Sequence, residues 1–263
     1  MNAVEVSRLS FAYAEGVRAL DDVSFVVAEG ECVGLIGPNG AGKSTLLLHL
    51  NGLLPERIGN GSPVRVFGDP ICRDRLYRVR REVGLLFQNP DDQLFCPTVF
   101  EDVAFGPQQY GREGADLKAE VGRALTDVGL PDFAGRAPHH LSQGEKRRVC
   151  LAGLLVCSPR LLLLDEPTGD LDPRGRRELK TLLRQLPITK IVASHDLDMI
   201  AELCSRVVVL DRGRVVAEGP AADTLSNEAL MLAHGLERPH ILHHLQDGRP
   251  MLQGERVSTR GGK

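Results

Sequence analysis

Two kinds of hydrophobic pattern alternate along this chain. Short runs that are apolar at nearly every position occur at residues 32–36, 83–87, 161–164, 188–193 and 207–210. Such runs, too short for buried helices and bounded by polar or turn residues, predict strands covered on both faces. Between them lie longer stretches whose apolar residues recur every three or four positions, at 99–105, 116–128, 146–156 and 173–186, with a further helix ending near residue 204. These predict amphipathic helices; in 146–156 the apolar face is Val149, Ala152, Leu155 and Val156. Residues 4–27 predict two or three strands with turns at Glu15-Gly16 and Glu29-Gly30, and 64–67 a short further strand. A helical turn is expected at 74–81, and Asp211-Arg212-Gly213-Arg214 reads as a hairpin turn with its return strand at 215–217.

Strands alternating with helices indicate an α/β fold with a mostly parallel core sheet and an antiparallel N-terminal β part. From residue 89 the chain becomes acidic and rich in glutamine and glycine, which reads as an inserted helical subdomain. The division expected is therefore a core of residues 1–88 and 160–225, a helical unit of 89–159, and a partly helical tail of 226–263. Leu141-Ser142-Gln143-Gly144-Glu145 reads as a polar loop leading into the helix at 146.

Bulk properties narrow the function. The 263 residues carry a net charge of -3 with no basic stripe, which gives no support to nucleic-acid binding. The first residues lack the pattern of a signal peptide, and no apolar stretch is long enough to span a bilayer, so a cytoplasmic location is expected. The six cysteines include no C-x₂-C pair and are expected to be buried reduced thiols rather than a zinc site.

Candidate chemistry gathers where strands end. Residues 37–45 read Gly-Pro-Asn-Gly-Ala-Gly-Lys-Ser-Thr and fit G-x-x-x-x-G-K-[ST], between an apolar run and a leucine-rich helix. Glycines at 37, 40 and 42 let backbone N–H groups turn inward as an anion cradle. Lys43 supplies a charge for β- and γ-phosphates, and the Ser44 hydroxyl a ligand for Mg²⁺. Asp165 ends another strand, where a carboxylate can hold Mg²⁺ through its water shell, and Glu166 next to it can orient or deprotonate a water. Taken alone, the pair could also be a solvated turn before Pro167. His195 likewise ends a strand at the ligand-facing edge, where a lone histidine is usually structural.

The cradle, Gln88, Leu141-Ser142-Gln143-Gly144-Glu145, residues 161–166, Asp170-Leu171-Asp172 and His195 occur in the order and spacing of the nucleotide-binding subunits of ATP-binding-cassette (ABC) transporters. The resemblance covers about residues 3–225. It implies a P-loop NTPase, an ATPase using ATP and Mg²⁺, that dimerises head to tail with each ATP between the cradle of one subunit and the Ser142 loop of the other. On that resemblance Tyr13 stacks on adenine, with Phe11 as an alternative platform. Gly37, Asn39, Gly40, Gly42, Lys43, Ser44 and Thr45 hold phosphate, and Ser44, Gln88 and Asp165 serve the metal. Gln88 also reaches the attacking water, Glu166 is the catalytic base, His195 clamps the γ-phosphate, and Ser142 with Gly144 completes the partner's site. Asp172 belongs to the loop crossing between subunits. Two departures stand out: Gln143 and Glu145 replace a glycine and a glutamine of the family's Leu-Ser-Gly-Gly-Gln, and Gly169-Asp170 puts a carboxylate near the dimer seam.

The run Gln88-Asn89-Pro90-Asp91-Asp92-Gln93-Leu94-Phe95, with Cys96-Pro97-Thr98-Val99 and Asp102-Val103-Ala104-Phe105-Gly106-Pro107, is similar to the energy-coupling-factor importers, in particular the ATPases of their cobalt and nickel branch. That similarity implies a second ATPase subunit, a membrane coupling protein, a substrate-selective membrane protein, and a peripheral position on the cytoplasmic face of the membrane. ABC ATPases of other branches, non-transport ABC proteins and P-loop kinases are the rival readings. His234, His240, His243 and His244 group in the tail, either as incidental residues of a docking helix or as a divalent-metal site.

Overall fold

The computed structural model describes residues 1–55 and 62–239. Strands β1 (Asn2–Ala12) and β2 (Arg18–Ala28) form an antiparallel hairpin, and β1 also pairs with β4 (Val64–Val66), which pairs with β5 (Asp69–Pro70). The smaller sheet thus runs β2-β1-β4-β5. Its hairpin is bulged: Arg8 and Asp22 both adopt left-handed backbone, and their N–H groups donate to the hydroxyls of Ser24 and Ser10 instead of continuing the ladder.

The larger sheet is built from β3 (Cys32–Ile36), β6 (Val83–Leu86), β7 (Leu161–Asp165), β8 (Thr189–Ala193), β9 (Arg206–Asp211) and β10 (Arg214–Pro220). Their order is β10-β9-β3-β8-β7-β6, parallel throughout except that β10 returns antiparallel to β9. The continuous apolar runs are explained by two cores, one on each face. Leu161 and Leu163 enter the core shared with the smaller sheet and α1 (Lys43–Leu50), while Leu162 and Leu164 enter the core formed with the other helices. A period-two strand covered on both faces leaves little room for a polar residue, and the exceptions in β8, buried Thr189 and Lys190, are hydrogen-bonded to backbone.

The connections are helical: α2 (Leu76–Glu82), α3 (Val99–Gln109), α4 (Gly114–Asp127), α5 (Gln143–Leu155), α6 (Pro173–Gln185) and α7 (Leu197–Leu203), followed by α8 (Ala221–Ser226) and α9 (Glu228–Ala233). Thr98 and Glu101 form a reciprocal capping box at the start of α3. Residues 143–145, expected in a polar loop, are instead the first turn of α5, because Ser142 and Glu145 form a second capping box. Helix α3 likewise runs past Gly106 and Pro107 to Gln109, beyond the expected stop at 105. Among the described residues no helix is long and apolar enough to cross a membrane. The cysteines are unpaired, and Cys150 and Cys204 are buried.

Candidate functional site

The parallel strands deliver their carboxyl ends to one edge of the larger sheet, and the predicted residues follow those ends directly. The cradle follows β3, Gln88 follows β6, Glu166 follows β7 after its last residue Asp165, and His195 follows β8. Ligands bind at such an edge in open α/β sheets. A cleft of about 1030 Å³ lies there, lined by the cradle, Tyr13, Gln88, Asp165, Glu166 and His195.

Close packing fixes the cradle's shape. A Cβ on Gly37, at φ +152°, would sit 1.9 Å from the Leu210 carbonyl oxygen, and one on Gly42, at φ +103°, 2.4 Å from that of Ala19. The backbone is therefore held against β9 and β2 in a conformation closed to side chains. Gly42 caps α1, whose first N–H groups face the cradle and favour an anion. Lys43 is buried and spends its ammonium on the loop itself, donating to the carbonyls of Gly37 (2.7 Å) and Pro38 (3.1 Å). Burial lowers its pKa, against the pull of Glu166 and Asp165. Asp165 is buried too; burial raises its pKa, opposed by a hydrogen bond from Ser44. That hydroxyl and carboxylate suit Mg²⁺, which takes one or two protein oxygens and completes its octahedron with phosphate and water.

Glu166 has a left-handed backbone at φ 45° and a fully engaged carboxylate. One oxygen accepts from the Ser194 hydroxyl (2.8 Å) and faces His195 Nδ1 (2.9 Å), and the other accepts from the His195 N–H (3.0 Å). The His195 side chain is 70% exposed, on the wall of the cleft. Tyr13 donates to or accepts from the Thr45 hydroxyl (3.0 Å), with its ring edge-on to Phe11 at 5.0 Å. Phe11 packs in turn on His49, which places Tyr13 and not Phe11 on the cleft wall.

Ser142 and Gly144 are not brought to the cradle of their own chain. They line a separate groove with Leu171, Asp172 and Gly175. Asp172 caps α6 through the Gly175 N–H, and Pro173 at the first helical position fixes the entry of that helix.

A family model described as ABC transporter matches residues 20–169. The chain belongs to the ABC transporter family. It is an ABC ATPase that binds and hydrolyses ATP, with Mg²⁺ as the family's usual metal. A Streptomyces coelicolor relative, an ABC transporter ATP-binding protein by name, is 52% identical over 90% of both chains. The energy-coupling factor transporter ATP-binding protein EcfA of Carboxydothermus hydrogenoformans is 46% identical over 93% of this chain and 90% of its own. Among solved structures, cbiO1 of Clostridium perfringens, described as part of the ABC transporter complex cbiONQ, superposes with a TM-score of 0.77 at 34% identity over 93% of this chain and 99% of its own.

Three features of this ABC ATPase escaped the sequence reading. Ser194, wholly buried, holds Glu166, although its place beside His195 at a strand end was a usable signal. Residues 235–239 reach back to line the cleft, and His234 is engaged by Asp211 (2.9 Å). The other members of the suggested metal group, His240, His243 and His244, lie outside the described residues. Arg147, in the middle of a Lys-Arg-Arg run, is buried. Its helical phase, three and four residues before Cys150 and Leu151, was the signal available.

Proposed function

We propose that this ABC ATPase powers an energy-coupling-factor type importer of a transition-metal ion, cobalt or nickel, through a membrane coupling protein and a substrate-selective membrane protein. The likeness to cbiO1 and to proteins named EcfA supports the branch. The observation that carries the reading is the surface beside Gln88. Phe95 is 65% exposed and Phe105 42% exposed, with ring centroids 5.0 Å apart, on the segment that begins at a cleft-lining glutamine. A paired aromatic patch open to solvent supports an interaction site, and here it is joined by a few residues of chain to the ATP cleft.

Within this proposal the protein has two lobes, residues 1–88 with 160–225 and residues 89–159, and pairs with a second ATPase subunit on the cytoplasmic face of the membrane. Tyr13 supports the adenine, and Lys43 exchanges the Gly37 and Pro38 carbonyls for phosphate oxygens. Ser44, Gln88 and Asp165 serve Mg²⁺. His195 leaves Glu166 to meet the γ-phosphate, freeing the carboxylate to accept a proton from the attacking water. Ser142 and Gly144, in their separate groove, serve the partner's ATP across the seam, and the capping carboxylate of Glu145 fixes the Ser142 hydroxyl until then (2.8 Å). The fixed hydroxyl gives the Glu145 departure a physical role.

The test is uptake of radiolabelled Ni²⁺ and Co²⁺ by cells lacking this chain. Uptake lost with the chain, restored by the parent and not by Glu166→Gln, is the expected result. Unchanged metal uptake together with loss of vitamin uptake would assign another branch.

A further inference from the structure

Arg147 lines the cleft, the hydrolytic scheme leaves it without a task, and its surroundings are unusual. It is 1% exposed. Its Nη2 donates to the Gln88 carbonyl (2.8 Å) and to the Gly169 carbonyl (3.0 Å), joining the loop that follows β6 to the loop that follows β7. Its Nε and Nη1 are buried with no hydrogen-bond partner. A guanidinium presents five donors in a fixed fork, and leaving part of that fork buried and unpaired is costly, so an acceptor brought to Nε and Nη1 recovers that cost.

Asp170 is the natural acceptor. Among the carboxylates acting on Arg147 it is the foremost, ahead of Glu166 and Asp165, while burial itself lowers the pKa of the arginine. It borders both the ATP cleft and the groove of Ser142 and Gly144. Its backbone is left-handed at φ 58°, where glycine would be less strained, so the gain from this residue lies in its side chain. That side chain is exposed and makes no hydrogen bond to Arg147 in the single subunit. We infer that Arg147 is a positioning residue that ties the Gln88 loop to the Gly169-Asp170 loop, and that Asp170 closes onto its spare Nε and Nη1 donors when ATP draws two subunits together. The glutamine that serves the metal and water then moves as one with the loop at the seam, and hydrolysis waits on dimer closure.

The inference rests on the proposed roles of Gln88 and Glu166. Steady-state ATPase assays on the full chain, with Arg147→Met, Arg147→Lys, Asp170→Asn and the Arg147→Met/Asp170→Asn double variant, test it. Arg147→Met is expected to lower kcat by about tenfold or more with KM for ATP within about threefold, and Arg147→Lys to recover part of the loss. Asp170→Asn is expected to lower kcat several-fold in the parent and not at all in the Arg147→Met background, the signature of a shared interaction. A parental kcat in Arg147→Met, or an Asp170→Asn effect of equal size in both backgrounds, overturns the inference. Asp170 is exposed, so Asp170→Asn folds whatever Arg147→Met does, and an unchanged kcat in that variant is by itself contrary. Failure of the underlying site reading shows separately, as an active Glu166→Gln.

Discussion

Ser194→Ala removes one hydroxyl from a wholly buried position and should separate the placement of Glu166 from ATP binding. That hydroxyl donates to a Glu166 oxygen at 2.8 Å and accepts the Asp196 N–H at 3.1 Å, which fixes the first turn of α7. The bond to a charged carboxylate carries about 1.5–3 kcal/mol. The His195 N–H still donates to Glu166 at 3.0 Å, so the carboxylate is not orphaned and the low end of that range applies. The lost Asp196 bond adds about 1 kcal/mol, for about 2.5 kcal/mol in all, and at about 2–4 °C per kcal/mol in a protein of this size Tm falls by about 5–10 °C in the nucleotide-free protein. If the same bond holds Glu166 in place during water attack, about 1.4 kcal/mol of lost positioning lowers kcat about tenfold. Ser194 does not line the cradle, so KM for ATP should barely move. Paired scanning calorimetry and steady-state ATPase assays decide it. A parental kcat, or a loss expressed entirely in KM, refutes the argument that Ser194 acts through Glu166.

Glu166→Gln keeps the shape of the side chain and removes its basicity, so it should bind ATP, lose turnover by a factor of about 10² or more, and run as a dimer on gel filtration with ATP and Mg²⁺. Parental turnover would exclude Glu166 as the base. Ser142→Arg should silence the site facing the altered subunit in a mixed dimer while the other site keeps its cradle; an unaffected mixed dimer argues against shared sites. Burial raises the Asp165 pKa, so its contribution favours the folded state below the usual carboxylate value of 3.8 and is lost as pH rises through the raised value. Asp165→Asn should therefore raise Tm of the nucleotide-free protein by a few degrees at pH 7, with the advantage shrinking as pH falls towards 4, and should abolish Mg²⁺-dependent ATPase. A lower Tm at pH 7 would contradict the assignment of burial as the dominant cause.

Much of this architecture is written plainly in the chain because both faces of the larger sheet are buried. Runs such as 161–164 admit no polar residue, so β7 and β8 fall close to where periodicity puts them. The cradle was legible for a related reason: three glycines before a Lys-Ser pair reflect backbone crowded against Leu210 and Ala19. Strand order was not, since the β3 neighbours β8 and β9 come from more than 150 residues away and nothing local encodes that pairing. The start of α5 was legible and misread, because Ser142 and Glu145 three residues apart are a capping signature although the segment also reads as a polar loop. The bulges at Arg8 and Asp22 depend on hydroxyls across the hairpin, and Arg147 on two loop carbonyls distant in sequence. Those features are tertiary, and a residue's type alone does not announce them.

The central claim is that ATP turnover in this chain serves membrane partners. The most direct measurement is to tag the chain in its native cell, solubilise the membranes gently and identify the proteins that co-purify by mass spectrometry. The account predicts a multi-helix coupling protein together with a small substrate-selective membrane protein, both lost when Phe95→Asp disrupts the exposed aromatic pair beside Gln88. Recovery of ribosomal or DNA-bound proteins without any membrane partner would contradict it.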